Sequence, residues 1–298
     1  LIADSVEVMV RAHQFDGMVL IAGGDKVVPG MVMAAARLNI PSIVFYGGVT
    51  GSGQYKGKTI RLEEMWEAIG AFRDGKISEA DLQGLEDNAF PNFGGGASCY
   101  TGNTMAMLTE AMGMAPPLTS TLTAATPFQI RAAKETGMQI MRLIESGITS
   151  LQIMSQGALH NAIRTSVAIG GSTNSVLHML AIAKEAGVEL ELDDFETISM
   201  STPYISHLGP SGPYILQQLH DAGGIPAVLK ELGRLVEGSC LTVTGRTIEQ
   251  NLATVKVVDR AVIRPLSDPI QPTGSIAILR GSLAPEGSVV KCSAVRDE

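Results

Sequence analysis

Aromatic side chains are scarce in this chain: seven Phe, five Tyr and one Trp make up 4% of 298 residues. A core adequate for that length must therefore be aliphatic and rich in the 14 methionines, as in helix-covered parallel sheets. Cysteine is nearly as rare. Cys99, Cys240 and Cys292 are widely spaced and odd in number, which speaks against a disulfide framework and for a reducing, cytoplasmic setting. Neither CxxC nor HExxH occurs. Charged residues are only 17% and the net charge is −8, which excludes a broad phosphate-binding surface for nucleic acid. The longest apolar runs are too short to span a bilayer. No positively charged start leads into an apolar block, so neither membrane nor secretory signal is expected. Leu1 opens straight into an amphipathic pattern, and VVKCSAVRDE follows a strand-like run to the last residue. These ends are what an internal piece of a longer protein would show, and its unfinished strand edges would favour association.

Glycine is what the chain has in abundance, 33 residues in all, and it punctuates the pattern. An apolar run over 15–22 gives way to Gly23, Gly24, Asp25 and Lys26. Pro29 then opens a helical stretch over 29–38, and a second apolar run covers 40–46. That is one βαβ unit with a charged pair at the carboxyl edge of its first strand, where open parallel sheets bind ligands. Helical spacing recurs over 2–13 and 61–73, and Ser78 to Asp81 is a capping signature. A glycine-rich stretch, FPNFGGGASCYTGNTM, leads into a helix over 101–112, and a long helix over 127–145 ends before Gly147. The run at Ala168, with Gly170, Gly171, Ser172, Thr173 and Asn174 before another helix, repeats the first unit's design. From Cys240 the chain turns to short β-rich pieces (LTVTG, VKVVDRAVI, SIAILRG, SVVKCSAV). The expected architecture is α/β: a parallel sheet with helices on both faces over 1–236, followed over 237–298 by the start of a smaller β-barrel-like domain.

Spacing alone leaves Asp25 and Lys26 open between a salt-bridged strand end and a hard-cation site, in which aspartate offers oxygen and lysine ligates only as its carbamate. The glycine turns are either tight packing or a place where hydroxyls and helix N–H groups hold a small anion. Cys99 sits at a helix start that would favour a thiolate, but without a base in view. His160, His178 and His207 read as core histidines.

Taken together, GGDKVVPGMVMAAARLNIPSI, TGNTMAMLTEAMGM, GGSTNSVLHMLAIAKEAGVELELDDF and GSCLTVTGRT resemble the dihydroxy-acid dehydratase / 6-phosphogluconate dehydratase family, closest to the dihydroxy-acid dehydratases. The resemblance covers nearly the whole chain. It implies dehydration of a 2,3-dihydroxy acid or sugar acid to a 2-keto acid, as in branched-chain amino-acid biosynthesis, by a homodimer carrying Mg²⁺ and an iron–sulfur cluster. It makes Asp25 and carbamylated Lys26 magnesium ligands and places Ser172, Thr173 and Asn174 at the substrate. It also puts cluster cysteines where this chain has Gly24 and Gly96, while a further cluster cysteine and metal carboxylate would precede Leu1. A metal-binding glutamate and the catalytic serine base would follow Glu298. Glycine offers no ligand, so two readings follow: a hydro-lyase working without the cluster, or an inactive homologue acting as a binding or scaffold protein. A phosphosugar-binding protein using the GGSTN turn is a third.

Overall fold

The computed structural model describes residues 1–295. Ile2–His13 (α1) buries Ala3 and Val10 and packs on the crossover helix that follows. Met18–Ala22 (β1), Val27–Leu38 (α2) and Ser42–Tyr46 (β2) form the expected βαβ unit, parallel from Met18 opposite Ser42 to Ala22 opposite Tyr46. α2 starts two residues before Pro29, because proline at the third position still lies in the first turn, whose N–H groups have no intrahelical partner. All of β2 is buried.

The 47–60 stretch holds a hairpin rather than a plain loop, Gly53–Tyr55 (β3) and Lys58–Ile60 (β4). Its turn residues Lys56 and Gly57 have φ of 48° and 76°, the mirror-image turn that suits strand twist. Leu62–Arg73 (α3) and Glu79–Ala89 (α4) follow, α4 capped by Ser78 accepting from the Asp81 N–H at 3.1 Å. Thr101–Ala111 (α5) is the hub: every residue from Asn103 on is buried. Pro127–Ser146 (α6) packs on β1 and β2 and ends on Gly147, φ 66°. Beyond the short Ser150–Ile153 (α7) come Gln156–Ala168 (α8), Asn174–Ala186 (α9) and Leu192–Met200 (α10). Then come Leu216–Asp221 (α11), Gly224–Leu232 (α12) and Ile248–Leu252 (α13). A hairpin of Ile276–Gly281 (β5) and Ala284–Lys291 (β6) closes the described chain.

Two parts of the expected architecture need correction. The large parallel sheet shrinks to β1 and β2. Neighbouring backbone joins by single bonds: Val44 N–H to Met114 O (2.9 Å), Val49 N–H to Leu122 O (2.8 Å), and isolated bridges from Val49 to Gly95 and Thr123. The apolar run before Gly170 is the end of α8, not a strand. A short, fully buried run reads alike in either conformation, and here nine α8 residues are buried. The barrel start is likewise absent among the described residues. LTVTG enters a tight turn closed by a bridge from Leu241 to Thr247, and VKVVDRAVI is an irregular strap; their N–H groups and that of Arg264 just after pair with the helical body: Val243 to Gly113 O, Val258 to Ala222 O and Arg264 to Ile205 O, at 2.8–2.9 Å. Val243, Val262 and Ile263 join the same buried cluster as α5 and α8. Only the β5–β6 hairpin realises the expected strands, seated on α10 through Ile276 and Ile278.

Candidate functional site

Asp25 and Lys26 stand at the carboxyl end of β1, with Lys26 as the residue before α2. Their side chains pair with each other, Nζ to Oδ2 at 2.9 Å, and are 57% and 59% exposed for lysine and aspartate. The ammonium holds the Asp25 carboxyl below its ordinary pKa. An exposed pair of this kind adds little to stability.

Three glycine turns meet beside this pair. A Cβ at Gly102, in the first turn of α5, would lie 3.1 Å from the Gly24 carbonyl carbon and 3.3 Å from the Asp25 nitrogen. The α5 start therefore rests on the Gly24–Asp25 peptide, and a side chain at 102 would press the two apart by a few tenths of an ångström. The third turn is laced to the same helix start: Thr101 Oγ1 and Ser172 Oγ are 2.8 Å apart, Asn174 Nδ2 donates to Thr101 Oγ1 at 2.8 Å, and Ser172 N–H donates to Thr104 Oγ1 at 3.1 Å. Of the three expected substrate contacts, Ser172 and Asn174 thus spend hydrogen bonds on the helix start. The Thr173 hydroxyl makes none to another described residue.

His178, one turn into α9, is 5% exposed, and its Nε2 has no hydrogen-bond partner. Burial, then the nearby Lys26 charge, depresses its pKa, while Asp25 opposes the shift. The core histidine expected from the sequence is thus a neutral imidazole next to the charged pair. His160 and His207 also bury an unpartnered Nε2.

Asn103 is the group that sequence patterning passes over. Its Nδ2 donates to Gly96 O and to Ser98 O (2.7 Å), and its Oδ1 accepts from Tyr46 Oη at 2.7 Å. It ties the glycine loop before α5 to the end of β2. An asparagine three residues into a helix that follows a glycine run is the available signal, since its short amide reaches back to loop carbonyls.

The iron–sulfur cluster does not fit the described residues. Gly24 has a φ of 92° and open space where a Cβ would go, so it offers room but no donor. At Gly96 the Tyr100 ring lies 3.1–3.2 Å from any Cβ, leaving no room for a cysteine without moving the ring. Cys99 cannot substitute: it is 1% exposed, its Sγ meets Thr104 Oγ1 at 3.3 Å, and burial raises its pKa, the reverse of a reactive thiolate. No three His, Cys, Asp or Glu side chains among the described residues are grouped to hold a metal. Asp25 offers a divalent cation one exposed carboxylate, while Lys26, an ammonium paired with it, offers no oxygen donor.

Comparison with known proteins bears on what these turns serve. Residues 1–251 match the model described as dihydroxy-acid/6-phosphogluconate dehydratase N-terminal, and residues 261–298 match its C-terminal counterpart. The chain is 48% identical over 301 residues to a dihydroxy-acid dehydratase of Sulfurisphaera tokodaii, covering 99% of this chain and 54% of that protein. It is 49% identical over 300 residues to the dihydroxy-acid dehydratase of Moorella thermoacetica and 48% identical over 299 residues to that of Halothermothrix orenii, covering 100% of this chain and 54% of each relative. The chain spans about half the length of the curated relatives it matches. No helix among the described residues is long and apolar enough to cross a membrane.

Proposed function

Because the chain belongs to the dihydroxy-acid/6-phosphogluconate dehydratase family, we propose that it carries part of the active site of a cytoplasmic hydro-lyase that converts a 2,3-dihydroxy acid or sugar acid to a 2-keto acid. The observation that supports this most is the meeting of the Gly24, Gly102 and Ser172 turns beside the exposed Asp25–Lys26 pair. In such a reaction the C2 hydrogen leaves as a proton, the C3 hydroxyl leaves as water, and the enol becomes the keto acid.

Asp25 and carbamylated Lys26 would hold Mg²⁺, which when bound orients the substrate carboxylate and 2-hydroxyl and stabilises negative charge as it develops. The chain's own part is positioning. The free N–H groups at the α5 start favour an anion there, and the Thr173 hydroxyl is available to a substrate oxygen. Buried, neutral His178 adds no competing positive charge beside the cation. No step is assigned to an iron–sulfur cluster, which the residues at 24 and 96 do not fit. A homodimer, branched-chain amino-acid biosynthesis and a two-part chain dividing near residue 237 belong to the same proposal.

The test is metal binding followed by turnover. Mn²⁺, titrated by electron paramagnetic resonance as a magnesium surrogate, should bind the unmodified chain in bicarbonate buffer. Asp25→Asn should weaken it by at least about 10-fold, as loss of a metal-site oxygen does. Equal binding by both forms would overturn the site. Keto-acid formation from glycerate and longer dihydroxy acids with Mg²⁺ then tests the reaction. Gly24 and Gly96 favour one second reading, a homologue that binds the acid without converting it. Saturable acid binding with no keto acid would select it.

A further inference from the structure

Glu110 is a carboxyl group that the dehydratase reading leaves unused, at the opposite end of α5 from the Gly24–Asp25 contact. It is 5% exposed, and the negative end of the α5 dipole disfavours a charge of its sign there. Both of its oxygens serve one loop. Oε1 accepts from the Leu118 N–H at 2.7 Å, and Oε2 accepts from the N–H and the hydroxyl of Ser120 at 2.9 and 2.5 Å. Leu118 has a φ of 66°, a left-handed backbone that residues other than glycine rarely adopt. Its hydrogen bond to Glu110 helps to hold it there.

Behind the carboxyl lies a cavity of about 30 Å³, bordered by Gly113, Pro117, Pro226, Leu229, Ile248 and Asn251 among others. It has room for a water, and no second ionisable side chain among the described residues lines it. The charged groups of the elements packed here point elsewhere: Lys230 of α12 and Glu249 of α13 line a separate groove, and Glu231 pairs with Arg260. On the outer side of the loop, Pro116 to Thr119 form one wall of an open groove of about 580 Å³, and Arg131, Glu135 and Arg142 of α6 line the other. His220 also borders this groove; its Nδ1 lies 2.9 Å from Thr121 Oγ1, and burial lowers its pKa. The loop therefore borders open space on one side and is tied on the other through one titratable group.

An ionised carboxylate in so dry a setting is costly, whereas a protonated one keeps the loop donors paired and can give its own proton to Ser120 Oγ. Burial pushes the Glu110 carboxyl up to about 7, against the hydrogen bonds that lower it. Charge at this position is relieved by water, which reaches it once the loop moves out into the groove. We propose that Glu110 is a pH-operated latch: protonated, it holds the 116–121 loop against the end of α5, and ionised, it releases that loop toward the groove along α6. Just beyond, Leu122 and Ala124 pair with Val49, which in turn bridges to Gly95. The latch thus borders the glycine loop that leads into α5, and it does not depend on the dehydratase reading.

Hydrogen exchange of the full chain, resolved by residue and corrected for the intrinsic pH dependence of exchange, tests it. The closed-state pKa of about 7 lies above the ordinary 4.5 of an open loop, so closure is strongest at low pH and weakens as pH rises through 7. Protection of the Leu118 and Ser120 amides should fall about 10-fold between pH 6 and pH 8.5. Glu110→Gln should abolish that fall. Ser120→Ala removes a donor to the charged form and should move the midpoint upward in pH; it carries the comparison should the Gln variant not fold. At pH 8.5 both amides should exchange at least about 10-fold faster than that of Ile163, buried in the centre of α8. Equal protection at Ile163 and the loop would mean that the loop opens only with the whole chain, which overturns the latch. Protection that is flat with pH, a fall that persists in Glu110→Gln, or a midpoint unmoved in Ser120→Ala overturns it as well.

Discussion

Glu110→Ala is expected to lower the unfolding free energy of the chain by about 3–4 kcal/mol at pH 6, one of the two largest single effects the structure supports. Glu110 lies near the end of α5 and is 5% exposed. Its Oε1 accepts from the Leu118 N–H at 2.7 Å, and its Oε2 accepts from the Ser120 N–H at 2.9 Å and from Ser120 Oγ at 2.5 Å. Truncation strands two backbone donors and a hydroxyl in a dry interior, at roughly 1–3 kcal/mol each. Relief of the carboxylate's own burial offsets part of that sum. Burial also pushes the Glu110 carboxyl up to about 7, against the hydrogen bonds that lower it. The folded state therefore holds this proton more tightly than the unfolded chain does. The resulting stability is complete below about pH 4.5 and is lost as pH rises through about 7. Glu110→Gln keeps the shape and abolishes the titration. Urea unfolding of both forms from pH 4.5 to 8 should show the unmodified chain losing about 3 kcal/mol relative to the Gln variant. Parallel pH profiles would contradict the assignment.

The first 50 residues were legible because their pattern is local. A strand period, a glycine pair, a proline in the first helical turn and a second apolar run each point to the same βαβ unit, and β1, α2 and β2 follow within two or three residues. Caps were equally legible: Ser78 and Gly147 act through neighbours in sequence. The run ending at Ala168 was not, because burial on all sides erases the periodicity that separates helix from strand. The straps after residue 237 have β-type composition, but they pair with Gly113, Ala222 and Ile205 instead of one another. That choice is tertiary, and β propensity does not record the partner.

The candidate site divides the same way. Asp25 and Lys26 could be named from the strand edge, and Gly102 against Gly24 explains why the motifs share one place.

Asn103→Asp makes the strongest test of what holds the glycine loop in place, because the substitution changes almost nothing but the sense of two hydrogen bonds. Asn103 is 1% exposed. Its amide donates to the carbonyls of Gly96 and Ser98 while its oxygen accepts from Tyr46. Burial holds the Tyr46 phenol protonated, its pKa well above the usual range, so Tyr46 can only donate here. Aspartate still accepts from Tyr46 but sets a carboxylate against two carbonyl oxygens. The cost should be about 4 kcal/mol or more at pH 8, against roughly 2–4 kcal/mol for Asn103→Ala, which removes the bonds without adding repulsion. A carboxyl in this place has its folded-state pKa raised, so the destabilisation should shrink as pH falls through that pKa. Protonation restores one donor, and below about pH 5 Asp should be no worse than Ala. Hydrogen exchange across 94–99 should rise in both variants at pH 8, since the amide anchors this loop from the helix. An Asp variant as stable as the unmodified chain at pH 8, or one whose deficit is the same at pH 5 and pH 8, would show that Asn103 does not anchor the loop through its amide.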